Sequence, residues 1–150
     1  MECNGCTLCC KLTAIPCMDS PPGDWCRHCI IGKGCNIWNT DIYPNDCKIY
    51  ECSYKQSKCS TDLRPDKIKM LFEKVSDDIF FGSRHPDYDL TDIAKKQIGS
   101  FVKQGFSIVI SDYINKSPNL YLAKGHIAEQ VKKTIIVRAR QAYDSTIIHN

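Results

Sequence analysis

The sequence predicts an α+β protein built from two unequal regimes: a cysteine-rich loop region over residues 1–60 and a small antiparallel sheet with two helices over residues 61–150. Three observations predict it. All eleven cysteines lie between Cys3 and Cys59. Ile68, Met70 and Phe72 alternate with Lys69, Leu71 and Glu73, which reads as a strand. After Thr91 the apolar residues recur at helical spacing. A chain of 150 residues suits one ordinary domain or two small ones, and no linker or internal repeat separates the halves, which are expected to pack as one unit.

The first half opens on Cys3-x-x-Cys6-x-x-Cys9-Cys10, four thiols within eight residues. Trp25-Cys26-Arg27-His28-Cys29 follows, then Gly32-Lys33-Gly34-Cys35, Tyr43-Pro44-Asn45-Asp46-Cys47 and Cys52. Residues 1–60 carry six basic and six acidic side chains and few apolar runs, so they cannot bury much apolar surface and need cross-links. Disulfides are one source and metal is the other. An odd number of cysteines and the absence of an export signal speak against full disulfide pairing. Paired thiols three residues apart suit zinc, and iron–sulfur clusters use the same spacing. The glycines at 32 and 34 permit the positive φ of a tight metal-binding turn. Cys9 and Cys10 are adjacent, so their side chains are expected to diverge and to serve different metals or a multinuclear cluster.

In the second half, Ile68, Met70 and Phe72 predict a strand, Ser76-Asp77-Asp78 a turn, and Ile79-Phe80-Phe81 its hairpin partner. Thr91 caps a helix whose Ile93, Ala94, Ile98, Phe101 and Val102 share one face, ending at Gly105. Residues Phe106–Ile110 predict a strand, Asn115–Asn119 a turn and Leu120–Leu122 a short strand. Ile127, Ala128, Val131, Ile135, Ala139 and Ala142 predict a final helix, against which the β-branched run Thr134–Val137 counts. Both helices are expected on one face of the sheet.

Several function classes are excluded as expectations. No apolar run reaches the roughly 18 residues of a membrane span. Met1-Glu2-Cys3-Asn4-Gly5-Cys6 has neither a basic nor an apolar leader segment, so a cytoplasmic location is expected. A net charge of +3 is too weak to signal a nucleic-acid partner. His85, His126 and His149 lack neighbouring ligands and read as solvated or hydrogen-bonded side chains, whereas His28, inside Cys26–Cys29, reads as a ligand or as a donor to sulfur. The lysines at 95, 96, 103, 132 and 133 read as solvated helix faces. No Ser/His/Asp constellation, no distinctive carboxylate pair and no phosphate loop is read from the sequence, so no catalytic residue is assigned.

The motif set resembles the bacterial cysteine-cluster family of YkgJ-like zinc- or iron-chelating domain proteins, whose hallmark is C-x-x-C-x-x-C-C. The likeness continues through P-x-G-x-W-C-x-H-C-x-x-G-x-G-C, here Pro22–Cys35 allowing for spacing, through Pro44-Asn45-Asp46-Cys47-Lys48-Ile49-Tyr50-Glu51-Cys52, and to Arg64-Pro65-Asp66, which opens the next strand in the family. It covers residues 3 to about 75. Two departures stand out: Tyr43 replaces an arginine, and the segment from Trp38 to Pro44 is two residues longer than usual. The resemblance implies a ligand set of Cys3, Cys6, Cys9, Cys10, Cys26, Cys29, Cys35, Cys47 and Cys52, with Cys17 and Cys59 spare. It implies zinc, or alternatively iron or an iron–sulfur cluster. Three functions follow as expectations: a structural or binding metal module with a protein partner, an iron–sulfur electron-transfer or redox protein, and an accessory of a flagellin N-methylase-like methyl-transfer system. The last rests on a family label alone, and the chain lacks a Gly-rich S-adenosylmethionine loop.

Overall fold

The computed structural model describes residues 5–57, 60–111 and 117–148. Cys3, Cys59, His149, residues 115 and 116 of the expected Asn115–Asn119 turn and the side chains of Ala139 and Ala142 lie outside the described residues. No described helix is long and apolar enough to cross a membrane.

The cysteine-rich half is made of single turns. Helix α1 (Cys9–Leu12) leads to a 3-10 turn at Pro16–Met18, bracketed by an isolated bridge between Ile15 and Ser20. Strands β1 (Cys29–Ile30) and β2 (Gly34–Cys35) form a two-residue ladder. Helices α2 (Asn45–Ile49) and α3 (Ser53–Gln56) close the region. Isolated helices this short do not hold themselves in water, so their persistence depends on what packs or binds beside them.

The second half holds a 3-10 turn (Thr61–Leu63) and α4 (Pro65–Ile68), then β3 (Met70–Lys74), β4 (Ile79–Arg84), α5 (Asp92–Lys103), β5 (Ser107–Ser111), β6 (Asn119–Tyr121) and α6 (Ala128–Ile148). Arg64-Pro65-Asp66 therefore opens a helical turn rather than the strand itself. Pro65 takes the first helical position, where its missing N–H costs nothing, and Lys69 at φ 59° ends the turn before Met70. Helix α5 starts where the sequence places its cap: the Thr91 hydroxyl accepts the Ala94 N–H at 3.1 Å and donates to the Ile68 carbonyl at 3.2 Å. Gly105, at φ +94°, follows its end.

The α+β class is as expected, but the four-stranded sheet is mixed. Its order is β3-β4-β5-β6, with β4 and β5 parallel and the outer pairs antiparallel. The parallel pair follows from α5, which carries the chain back across the sheet between β4 and β5. Nor do the helices share a face. Met70, Phe72, Phe80, Ile108 and Ile110 pack with Ala94 and Ile98 of α5. Ile79 and Val109, which alternate with Phe80 and Ile108 and so point the other way, pack with Val131 of α6. Burying both faces of β4 and β5 takes apolar residues at consecutive positions, and Ile108-Val109-Ile110 supplies them.

The face that α6 leaves open over β3 is taken by the cysteine-rich half. Leu71 packs with Leu8, Leu12, Cys52 and Tyr54. Polar contacts bridge the same boundary: the Tyr50 hydroxyl donates to the Glu73 carboxylate, and Lys11 Nζ lies 3.5 Å from Asp87.

Candidate metal centre

The chain turns sharply where thiols must converge. Gly32 and Gly34 adopt φ +77° and +141°, as the turn between β1 and β2 requires. That turn sets Cys29 opposite Cys35 in the ladder. The amide of Cys29 donates to the Cys26 carbonyl and that of Cys26 to the Cys10 carbonyl, each at 2.9 Å. The first C-x-x-C lies against this turn. Gly5 is at φ +79°, and a Cβ there would fall 2.5 Å from the Gly32 carbonyl oxygen. The Thr7 hydroxyl accepts the Gly32 N–H at 3.2 Å.

Two cavities result. The smaller, about 120 Å³, is lined by Cys9, Cys10, Cys26, Cys29, Cys35 and Cys47, with His28 in its wall. The larger, about 450 Å³, is lined by Cys6, Cys9, Cys10, Cys35, Cys47 and Cys52. Every cysteine of the expected ligand set that the structure describes therefore lines one cavity or both. Cys9, Cys10, Cys35 and Cys47 are common to the two. Cys17 is exposed and lines neither.

Among the described residues, no three His, Cys, Asp or Glu side chains stand at the spacing that holds an ion. Cys9 and Cys10, expected to diverge, both line the two cavities. The Asp66 carboxylate bears electrostatically on Cys6. Asp66 is itself held by Arg64 through two short bonds of 2.6 and 2.8 Å.

These contacts set the charge of the thiols. The neighbouring Cys10 side chain draws Cys9 below the ordinary thiol range, and Cys9 with burial raises Cys10 in turn. Burial pushes Cys6 up to about 12. Burial, then the neighbouring Cys9 and Cys26, push Cys47 up to about 11. Burial also raises Cys29. A cavity lined by neutral thiols gives up protons when a cation enters, because metal binds the thiolate.

Aromatic residues that sequence reasoning did not assign to the site complete its wall. Tyr43 lines both cavities. Its hydroxyl donates to the Cys47 carbonyl at 3.3 Å and its ring leans on Trp38 at 4.9 Å. Burial, then the Cys47 charge, push its phenol up to about 12. Tyr50, also in both walls, is raised by burial and by Glu73. The sequence signal for both was their position one before Pro44 and two before Cys52.

A Ser/His/Asp grouping, not read from the sequence, lies elsewhere. Ser107 Oγ is 2.7 Å from His126 Nδ1, and His126 Nε2 is 3.6 Å from Asp78 Oδ2. Ser107 is fully buried and its oxygen already accepts the Ala123 N–H at 3.0 Å. Nucleophilic attack needs a hydroxyl within reach of substrate, so this set ties the turn before α6 to the sheet. His85 is likewise hydrogen-bonded, accepting the Asp87 N–H at 3.2 Å.

Searches of family descriptions, curated proteins and solved structures found nothing that matches this chain.

Proposed function

We propose that this chain is a cysteine-cluster metal-binding protein, with zinc held by thiolates in a structural or partner-binding role. One observation carries the reading: thiols from separate segments between Cys6 and Cys52 line two adjoining cavities, while exposed Cys17 lines neither. An all-thiol donor set suits zinc or an iron–sulfur centre rather than calcium or magnesium. Cys26 and Cys29 would hold metal on one side, Cys6 and Cys52 on the other, with Cys9, Cys10, Cys35 and Cys47 available to either. Two centres or one multinuclear cluster fit this sharing better than one ion, which takes four ligands. Bound zinc would supply cross-links that the short helices of this half lack.

An iron–sulfur cluster is the second reading. The four shared thiols favour it, since such clusters are held by four cysteines.

Anaerobic purification, elemental analysis and visible spectroscopy test both. A colourless protein with two or more zinc ions per chain supports the first reading. A brown protein with iron and sulfide supports the second. Protein free of both metals, with all thiols open to alkylation, overturns the proposal.

A further inference from the structure

The larger thiol cavity opens through a rim that the metal reading does not use. Lys33, Lys48 and Lys55 line it, together with Trp38, Tyr43 and Tyr54. No Asp or Glu is among its described lining residues. Lys48 Nζ stands 6.0 Å from the centre of the Tyr43 ring, and the Trp38 ring leans on the same Tyr43 ring while remaining 60% exposed. Lys55 is paired with Glu51 at 3.0 Å, so among the described residues Lys33 and Lys48 supply most of the rim's uncompensated charge. An indole left this open costs apolar hydration that a stacked ligand would remove. At about 450 Å³, the space is within the range of small-molecule sites.

We infer that this rim binds a small flat-ring compound bearing a phosphate or carboxylate, the ring stacked on Trp38 and the anion held by Lys33 and Lys48. Stacking on an aromatic face contributes whatever the identity of the ring. Ammonium groups contribute charge-assisted hydrogen bonds to the anion. The inference deepens the reading of the thiol cavity and rests on that cavity, but does not require a particular metal. The competing role for the lysines is to offset thiolate charge at the inner end of the cleft.

Calorimetric titration of the full chain, purified anaerobically, separates these roles. The probes are AMP, nicotinate, adenosine and inorganic phosphate, and metal content is measured on each sample. AMP or nicotinate is expected to bind with Kd below about 1 mM, the better of the two identifying the anion. Adenosine and inorganic phosphate are expected to bind at least about tenfold more weakly, each lacking one half of the recognition. The double change Lys33→Ala with Lys48→Ala should weaken binding by at least about tenfold with metal content unchanged, and Lys95→Ala on α5 should leave both unchanged. The inference is overturned if neither AMP nor nicotinate saturates, if adenosine or phosphate alone binds as well as the better anion, or if the double variant loses metal and binding together. Binding by a protein that carries no metal would sink the metal reading and leave this one standing.

Discussion

Cys29 and Cys35 face each other across the two-residue ladder of β1 and β2, with Ile30 opposite Gly34 closing the turn between them. Directly opposed residues of an antiparallel pair have Cα atoms about 4.5–5.5 Å apart, so the hairpin presents two thiols to one side of the cavity with little further ordering. The ladder is too short to persist alone. Gly5 and Thr7 pack behind it, and under the proposed function metal on its sulfurs would hold it further.

Metal removal should therefore act unevenly. After chelation, amides of residues 5–57 are expected to lose hydrogen-exchange protection, while β4, β5 and α5 keep theirs, because Ile98, Ile108 and Ile110 form a core that needs no thiol. Strand β3 should respond in part, since Leu71 packs on Leu8 and Leu12. Unchanged protection in the first half after verified metal loss would rule out a folding role for the metal. Structural zinc contributes on the order of 10 kcal/mol in small modules, so the effect should be plain.

Individual cysteines should divide sharply. Cys17→Ser changes an exposed thiol outside both cavities and should leave metal content intact, at a stability cost within about 1 kcal/mol. Cys35→Ser removes a sulfur shared by both cavities and should lower metal content and solubility. Cys9→Ser and Cys10→Ser should each remove part of the metal. Elemental analysis of the four purified variants decides the matter. Metal loss from Cys17→Ser as complete as from Cys35→Ser would show that the ligand set is drawn wrongly.

Gly5 offers a test that leaves every thiol in place. Alanine there would hold a left-handed φ of +79° and drive its Cβ to 2.5 Å from the Gly32 carbonyl oxygen, which is backbone and cannot swing aside. The left-handed conformation alone costs about 1–2 kcal/mol, and the clash adds to it. Gly5→Ala is expected to lower the urea midpoint and weaken metal retention together. Gly99→Ala on α5 meets nothing within 4 Å and should instead stabilise by up to about 1 kcal/mol. Equal midpoints for the two variants would mean that the contact between the first C-x-x-C and the hairpin turn carries no stability.

What the sequence made legible follows its local signals. Thr91 as cap, the apolar face through Ala94 and Ile98, and glycines 32 and 34 at a tight turn are features of a few consecutive residues. What it hid depends on the path of the chain. A strand pattern at Phe106–Ile110 carries no mark of which neighbour it pairs with, and the parallel pairing to β4 arises only once α5 has crossed the sheet. Ser107, His126 and Asp78 meet for the same reason: their separations in sequence carry no motif. At the thiol cavity, the density of cysteines in the first half was legible. That Tyr43 and Tyr50 line the same walls was not, because that depends on how separate segments fold together.

The last prediction concerns pH at the seam between the halves. His85 is buried, faces the Lys11 ammonium and the Asp87 carboxylate, with Lys69 also acting on it, and packs edge-on against the rings of Trp25 and Tyr88. Burial and then the Lys11 charge hold its imidazole below the ordinary histidine value of 6.5, and they outweigh the opposing pull of Asp87. The folded state thus binds its proton less readily than the unfolded chain does. Stability from this site is full above pH 6.5 and falls as the pH drops from there toward the lower folded value, where the slope ends. Urea midpoints measured between pH 7.5 and roughly 5 should decline for the native chain. His85→Gln, which has no proton to gain, should be less stable at neutral pH and should decline less steeply over the same window. Parallel slopes for the two proteins would assign the acid sensitivity elsewhere, with the Asp66 carboxylate held by Arg64 as the next group to examine.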